Sequence, residues 1–301
     1  MTTSAPRHHP VTPPEEPTIV SAPPRADCIA DSAGGLTFDV DVWGRPAPTG
    51  DWTAALVLRR RVADADADFD EVRLPLSPNG DGRLRAVLPS TVALPEGRWD
   101  IHVACGEDDV RRLVPGLNDL RSLVDRRPGQ STSPLAVRIP YATKHGNLSL
   151  RSWLRVPHAE AADIQVESTG ITARGVLYRV PDPQAWLAGA VVEARCRRDA
   201  ELVHTVPTSA EGPEFAFTLP YGPLAEAWRG GLDVWDLWLR PADGEPVRIA
   251  RILDDIADKK PVFVYPTRPI AADHAPAQAG PYYTADNDLS VRIDEREPAA
   301  R

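Results

Sequence analysis

The chain has 301 residues, a formal net charge of −9 and a hydrophobic fraction of 42%. These values fit two globular domains of ordinary size, each large enough to bury a core. The isoelectric point near 5.3 argues against a nucleic-acid partner, because phosphate backbones are bound by basic surfaces.

Targeting and ligand signals are sparse. The three cysteines lack CxxC spacing, which indicates neither a disulfide framework nor a zinc site. The opening MTTSAPRHHPVTPPEEP lacks the apolar centre of a secretory signal, and no segment approaches the roughly 20 apolar residues that cross a bilayer. We therefore expect a cytoplasmic protein without membrane insertion, cofactor or metal ion.

Short alternating segments follow a proline-rich start. Residues 1–25 predict a disordered tail, because they offer many prolines and almost nothing to bury. Beyond it, apolar residues alternate with polar ones, bounded by turn signals such as PNGDG at 78–82. Period-two alternation of this kind predicts strand after strand. The predicted inward residues of the first half include Phe38, Val40, Val42, Trp99, Ile101, Val103, Leu148 and Leu150.

The chain also resembles itself. PYATKHGNLSLR at 140–151 aligns without a gap to PYYTADNDLSVR at 281–292, and three upstream blocks match in the same order at offsets of 135 or 136. A repeat this long predicts two whole domains rather than a solenoid. We expect an all-β chain of two tandem immunoglobulin-like β-sandwiches from an internal duplication, at 26–155 and 162–294, with a short charged tail at 295–301.

One corner of the predicted sandwich departs from the immunoglobulin pattern. LPEGRWDIHV at 94–103 places a glycine turn before a strand that opens with an aromatic residue. Immunoglobulin-like domains have a tyrosine there, whose hydroxyl bonds to the main chain. Trp99 and Trp235 lack a hydroxyl, so the resemblance at this corner is partial.

Candidate reactive groups are few. LDDIADKK at 253–260 supplies weak catalytic candidates, Asp254, Asp255, Lys259 and Lys260, which could act as acid and base if buried together. Ion pairing on an exposed loop is the favoured alternative. DADADFDE at 64–71 resembles a calcium loop but has Phe69 where the motif requires glycine, so an acidic hairpin loop is favoured. The arginine runs at 59–61 and 195–198 fit solvated strand ends better than an anion site.

The outward face of residues 232–240 is the predicted binding surface. Trp238 and Val234 point away from the predicted core and would form an exposed apolar patch. Such a patch predicts an interface, a contact between the repeats or, less readily, a sugar-stacking platform to which Tyr282 and Tyr283 would add.

At these motifs the chain resembles a known module. The combination W-D-[IL]-x-[VL], L-D-D-I-x-D-K-K and P-Y-[AY]-T-x-x-x-x-L-S-[VL]-R, spread over roughly 26–294, is similar to a module of actinobacterial proteins often labelled "transferase". It is also similar to the tandem immunoglobulin-like C-terminal region of wall teichoic acid-type glycosyltransferases. In that family the sandwiches support oligomerisation, and a preceding glycosyltransferase domain with a metal-binding Asp-x-Asp performs catalysis. The resemblance implies no catalytic residue in this chain.

Three functional hypotheses follow. The first is a non-catalytic assembly or oligomerisation module, acting as a homo-oligomer or with a glycosyl- or polyol-phosphate transferase partner of cell-envelope polymer synthesis. The second is a transferase with a site between the repeats. The third is a carbohydrate-binding module that contacts a glycan through Trp238 and the two tyrosines.

Overall fold

The computed structural model describes residues 22–41, 54–62, 70–106, 109–124 and 126–296. Val42, most of the DADADFDE stretch and nearly all of the predicted tail lie outside these residues. Almost all of the regular structure is strand, which confirms the all-β fold class.

Eleven strands and one 3-10 turn make up the described first half. They are β1 Arg25–Ala30, β2 Leu36–Asp41, β3 Ala54–Arg60, β4 Glu71–Pro75, β5 Ser77–Pro78, β6 Leu84–Leu88, β7 Gly97–Cys105, β8 Val110–Arg112, β9 Val114–Asp119, the turn Arg121–Leu123, β10 Leu135–Ala142 and β11 Leu148–Arg155.

These strands form two sheets with one core between them. One sheet has the order β5-β6-β2-β1-β9, and the other has the order β10-β11-β7-β3-β4 with β8 added to β7. Phe38 of the first sheet and Leu56, Trp99 and Leu150 of the second belong to the same buried cluster. The alternating residues therefore face inward as the period-two pattern predicts.

The described second half contains ten strands and two short helices. They are β12 His158–Val166, β13 Gly170–Tyr178, α1 Pro183–Leu187, β14 Val191–Cys196, β15 Val203–Glu211, β16 Glu214–Pro220, α2 Gly222–Ala227, β17 Asp233–Arg240, β18 Val247–Ala250, β19 Arg268–Ile270, β20 Ala277–Tyr283 and β21 Leu289–Glu295.

Two strands of the second half join its two layers. β15 pairs with both β14 and β16, while β18 pairs with both β17 and β12. The strands consequently connect as one path, β14-β15-β16-β13-β12-β18-β17-β21-β20-β19, and β14 also pairs with β17. Strands that pass from one layer to the other form corners of this kind.

The order of pairing is shared between the halves. The path β4-β3-β7-β11-β10 corresponds to β15-β14-β17-β21-β20, and β6-β2-β1-β9 corresponds to β16-β13-β12-β18. In the first half β9 runs parallel to its neighbour β1, and in the second half β18 runs parallel to its neighbour β12. The duplication itself stays a prediction, whereas the matched pairing is a property of the fold.

The corner tryptophans occupy the two cores, as expected. Trp99 is fully buried and Trp235 is 2% exposed. The Trp99 indole N–H donates a hydrogen bond of 3.2 Å to the Pro95 carbonyl, so in the first half an indole makes the main-chain bond that a tyrosine hydroxyl makes elsewhere. The indole nitrogen of Trp235 has no hydrogen-bond partner among the described residues.

We predict that Trp235→Ala lowers the free energy of unfolding by about 3–5 kcal/mol, because it removes a buried aromatic ring and leaves a cavity. Urea unfolding followed by far-ultraviolet circular dichroism measures the change. Leu232→Ala is the control, since Leu232 is 64% exposed nearby and its loss should change stability by less than about 0.5 kcal/mol. Similar losses in the two variants would contradict the core position of Trp235.

Candidate functional site

A cluster of charged side chains covers the outer face of the first half. Asp100 of β7 accepts a 2.7 Å hydrogen bond from Arg61 Nε and lies 2.9 Å from Arg112 Nη1. Ser149 of β11 donates to the same carboxylate at 3.0 Å and accepts from both guanidiniums, at 2.9 and 3.2 Å. Ser149 is therefore completely buried, although it points away from the core.

The second half has the same cluster. Asp236 of β17 is held by Arg197 through two hydrogen bonds of 2.9 Å and by Arg248 at 3.1 Å. Ser290 of β21 donates to Asp236 at 2.7 Å and accepts from Arg248 at 3.2 Å.

The two clusters explain much of the internal sequence similarity. Arg61, Asp100 and Arg112 each precede their second-half counterpart by 136 positions, while Ser149 precedes Ser290 by 141. Burial opposes ionisation of both carboxyls, but hydrogen bonds and positive charge from the arginines outweigh it and bring the pKa of Asp100 and Asp236 below the ordinary value. The arginines thus favour the charged form of the aspartates of the two W-D motifs.

An aromatic side chain lies next to each cluster. Trp238 is half-buried between Arg195 and Arg248, whose guanidinium carbons lie 5.0 and 5.3 Å from the ring centroid. Cation–π contacts of this kind cover an indole with charge. His102 holds the matching position in the first half. Burial, together with the charges of Arg112 and Arg59, lowers the pKa of His102, so its imidazole is neutral near pH 7.

These positions change the expected binding surface. Val234 is also half-buried, so the exposed apolar patch predicted around Trp238 is replaced by an indole covered by arginines of its own chain.

Tyr282 and Tyr283 lie on opposite faces of β20. Tyr282 is half-buried, while Tyr283 is fully buried beside Phe263 and Tyr265 and belongs to the core, so it cannot form part of a glycan-stacking surface.

The LDDIADKK segment lies at the junction of the two halves. Ile252 and Leu253 are buried in the core cluster of the first half, with Ala250. Glu160 of β12 anchors them by accepting hydrogen bonds of 2.9–3.1 Å from both backbone amides. The Glu160 carboxylate also contacts His158 Nε2 at 2.7 Å. Second-half residues thus complete the first core.

The four weak catalytic candidates separate into two pairs. Lys259 is fully buried, and its ammonium donates to Asp254 at 2.6 Å and to the Ile256 carbonyl at 2.9 Å. Asp255 and Lys260 are exposed. The expectation of ion pairing on an exposed loop is wrong for Lys259, because the chain folds over this pair. Burial lowers the pKa of Lys259, partly opposed by the negative charge of Asp254.

The turn between β20 and β21 fastens this segment to the rest of the molecule. Asn287 has a φ of 61°, and its side chain accepts from Lys259 N at 3.1 Å and donates to the carbonyls of Ile256 and Ala257 at 3.4 and 3.3 Å. Gly146 occupies the matching turn of the first half, with a φ of 76°. Asparagine tolerates the left-handed conformation and, unlike glycine, can bridge to the segment.

The same turn is bound to the first half. The Trp153 indole donates to the Asp286 carbonyl at 3.1 Å, Arg151 pairs with the Asp286 carboxylate, and Arg155 reaches Asp288 at 3.0 Å. Arg98 donates to the Ala285 carbonyl at 3.2 Å. Sequence reasoning did not identify these arginines, Glu160 or Asn287. The partners of the arginines lie on the other half of the chain, and those of Glu160 and Asn287 lie on a segment of their own half that is remote in sequence.

The described residues contain no cluster of three or more histidine, cysteine, aspartate or glutamate side chains that could hold a metal ion. All three cysteines are free, and Cys28 and Cys196 are buried. Burial raises the pKa of the Cys28 thiol, which makes it a small buried hydrophobe rather than a nucleophile. Among the described helices, none is long and apolar enough to cross a membrane.

Comparisons with known proteins find similarity at the level of solved structures. The crystal structure of S. aureus TarS has a TM-score of 0.30 and 13% identity over 65% of this chain and 35% of that chain. Its fragment 217–571 gives 0.29 and 14% over 66% of this chain and 56% of that chain. The chicken CNTN1 FN1–FN3 domains give 0.19 and 11% over 76% and 64%.

This chain therefore spans about a third of the TarS chain and just over half of its fragment. No family model and no curated protein matches the sequence. At these TM-scores the similarity carries no conclusion about activity.

We predict that Asp254→Asn destabilises the protein by about 3–5 kcal/mol, because it leaves the buried ammonium of Lys259 without its counter-charge. Asp255→Asn is the matched control, one residue away and exposed, and should change stability by less than about 0.5 kcal/mol. Chemical denaturation of both variants measures the difference. Equal stabilities would show that the Lys259–Asp254 pair does not hold the junction.

A second prediction separates backbone conformation from side-chain bonding at the turn. Asn287→Gly keeps the left-handed conformation but removes three hydrogen bonds, so we expect a loss of about 1–3 kcal/mol and faster amide exchange over residues 251–260. Gly146→Asn is the reverse control. A Cβ at Gly146 meets nothing within 4 Å, and we expect a change below about 1 kcal/mol. Unchanged exchange in Asn287→Gly would contradict the anchoring role.

Proposed function

We propose that this chain is a non-catalytic assembly module, acting in the cytoplasm beside a glycosyl- or polyol-phosphate transferase of cell-envelope polymer synthesis. The W-D, L-D-D-I-x-D-K-K and P-Y-x-T motifs, which resemble the tandem sandwiches of wall-polymer glycosyltransferases, suggest this setting. In such an arrangement the partner performs the chemistry, and this chain supplies a rigid surface.

The observation that carries the proposal is the burial of Lys259 and its pairing with Asp254. Asp254 and Lys259 bond to each other and to the backbone of their own segment, in which Ile252 and Leu253 complete the core of the first half. Lys259 is fully buried and its ammonium is bonded within its own segment, which is the arrangement of a structural ion pair. These groups therefore fit a role in fixing two sandwiches in one arrangement.

The proposed contact surface is the outer face of β17. Trp238 is half-buried on this face beside Arg195 and the largely buried Arg248. Tryptophan and arginine are the side chains most enriched at the energetic centres of protein interfaces. The indole already contacts two guanidiniums of its own chain, which favours a protein partner over a stacked sugar.

We predict that the protein forms a homo-oligomer or a stable complex with the transferase partner, and that Trp238→Ala weakens assembly at least about tenfold while the fold is retained. Sedimentation velocity and light scattering at tens of micromolar measure self-association, and affinity purification from the native host identifies a hetero-partner. His102→Ala is the matched control, since His102 holds the equivalent position in the first half, and its assembly should be unchanged.

Two outcomes would contradict the proposal. One is a wild-type protein that is monomeric and retains no partner. The other is turnover of nucleotide sugars or activated polyol phosphates, with divalent metals present, that Asp254→Ala or Asp255→Ala abolishes in a variant whose melting temperature shows it to be folded. The second result would establish the alternative, a transferase with its site between the halves.

A further inference from the structure

A cleft of about 420 Å³ lies between the two halves. The first half contributes most of its lining, including Arg61, Arg98, Arg151 and Arg155, while the turn between β20 and β21 contributes Asp286 and Asp288. The volume falls within the range of small-molecule sites.

The charge of this lining differs from that of the chain. Four guanidiniums face three carboxylates, those of Glu96, Asp286 and Asp288, whereas the whole chain has a net charge of −9. Arginine presents a planar fork of donors that matches the oxygens of a phosphoryl group. Because Arg61 is already bound to Asp100, an anionic ligand in the cleft would depend on the other three guanidiniums.

The arginines of the cleft differ in how completely they are paired. Arg155 is held between Glu96 and Asp288, at 2.9 and 3.0 Å. Arg98 donates to a backbone carbonyl at 3.2 Å and forms no ion pair with a carboxylate of the described residues. Arg151 is 6% exposed, and its Nε atom is buried without a hydrogen-bond partner among those residues.

The partner of Arg151 is accessible to solvent. Asp286 pairs with this guanidinium, yet the Asp286 side chain is 62% exposed. The Arg151 guanidinium lies 5.1 Å from the ring centroid of Trp153, which fixes its position. The Asp286 carboxylate thus fills a position where an anion contacts Arg151, and the Arg151 guanidinium is already oriented by Trp153.

Some residues that line the cleft have no equivalent in the second half. Arg61 of the structural cluster recurs at Arg197, and Arg151 of the cleft recurs at Arg292. Arg98 instead corresponds to Val234, and Glu96 corresponds to Leu232, at the offset of 136 that relates Arg61 to Arg197. Residues that are present in one half only are not required by the shared fold.

We propose that the cleft between the halves binds a phosphoryl group through Arg98 and Arg151, with Asp286 as the resident carboxylate that the ligand displaces. A dianion competes favourably with one aspartate for two guanidiniums, and its tetrahedral oxygens can accept from both. The inference goes beyond the assembly function and does not depend on it, because it uses only the lining of the cleft.

The test is titration of the full chain with inorganic phosphate, glycerol 3-phosphate and pyrophosphate, three probes that distinguish free phosphate, a monoester and a diphosphate. Binding is followed by calorimetry and by the NMR signal of the Trp153 indole N–H, which donates to the Asp286 carbonyl. We expect a saturable shift of this signal with at least one probe.

Three variants make the test specific. Arg98→Ala should weaken binding at least about tenfold, whereas Asp286→Asn should strengthen it severalfold by removing the competing charge. Arg292→Ala, which removes the exposed counterpart of Arg151 outside the cleft, should leave affinity unchanged. Melting temperatures show that each variant is folded.

Several results would overturn the inference. They are the absence of a saturable shift at millimolar concentrations of every probe, equal losses in Arg98→Ala and Arg292→Ala, or weaker binding in Asp286→Asn. Because assembly is measured separately with Trp238→Ala, failure of the cleft leaves the proposed function untouched, and failure of assembly leaves the cleft untouched.

Discussion

The arrangement of the two sandwiches depends on the burial of a short charged segment between them. Residues 250–260 leave the second half, complete the core of the first with Ile252 and Leu253, and return. A segment with three acids and two lysines can be buried only if each enclosed charge finds a partner. Lys259 is paired with Asp254, and Glu160 binds two backbone amides.

At this junction, the turn at 284–288 contacts both the buried segment and the first half. Its residue Asn287 holds the buried segment, while Asp286 and Asp288 reach the arginines of the first half. The corresponding turn at 143–147 has the same main-chain hydrogen bonds, Thr143 N to the Asn147 carbonyl and Thr284 N to the Asp288 carbonyl. The two halves thus share one backbone turn. Its side chains determine whether the turn contacts the other half, as the turn at 284–288 does.

The sequence predicted the parts of the fold that depend on local alternation and on similarity between the halves. Phe38, Trp99 and Trp235 are buried as the period-two pattern indicates. The buried lysine was not predicted, because a run of acids and lysines ordinarily indicates a solvated loop, and only the tertiary position of β12 makes Glu160 available to it. Trp238 was predicted to be exposed for a similar reason, since alternation identifies the outward face but not the arginines that cover it.

The outer clusters show which signal could have revealed more. Arg112 and Arg248 are 136 positions apart, as are Arg61 and Arg197, so the offset of the W-D motifs identifies the arginines that bracket each aspartate. A position whose counterpart at that offset is a different residue type is equally informative. Arg98, which has no arginine counterpart, lies in the cleft.

The cleft exists only while the turn at 284–288 is held against the first half, so its ligand and the junction are thermodynamically linked. A phosphoryl ligand that binds the docked arrangement stabilises that arrangement in proportion to its occupancy. Displacement of Asp286 removes one contact between the halves, the pair with Arg151, but leaves the Trp153 and Arg155 bonds to the same turn. The bonds that remain hold the turn against the first half while the carboxylate is exchanged for the ligand. Arg98 and Arg151 stay on the same cleft wall because they lie opposite each other on the paired strands β7 and β11.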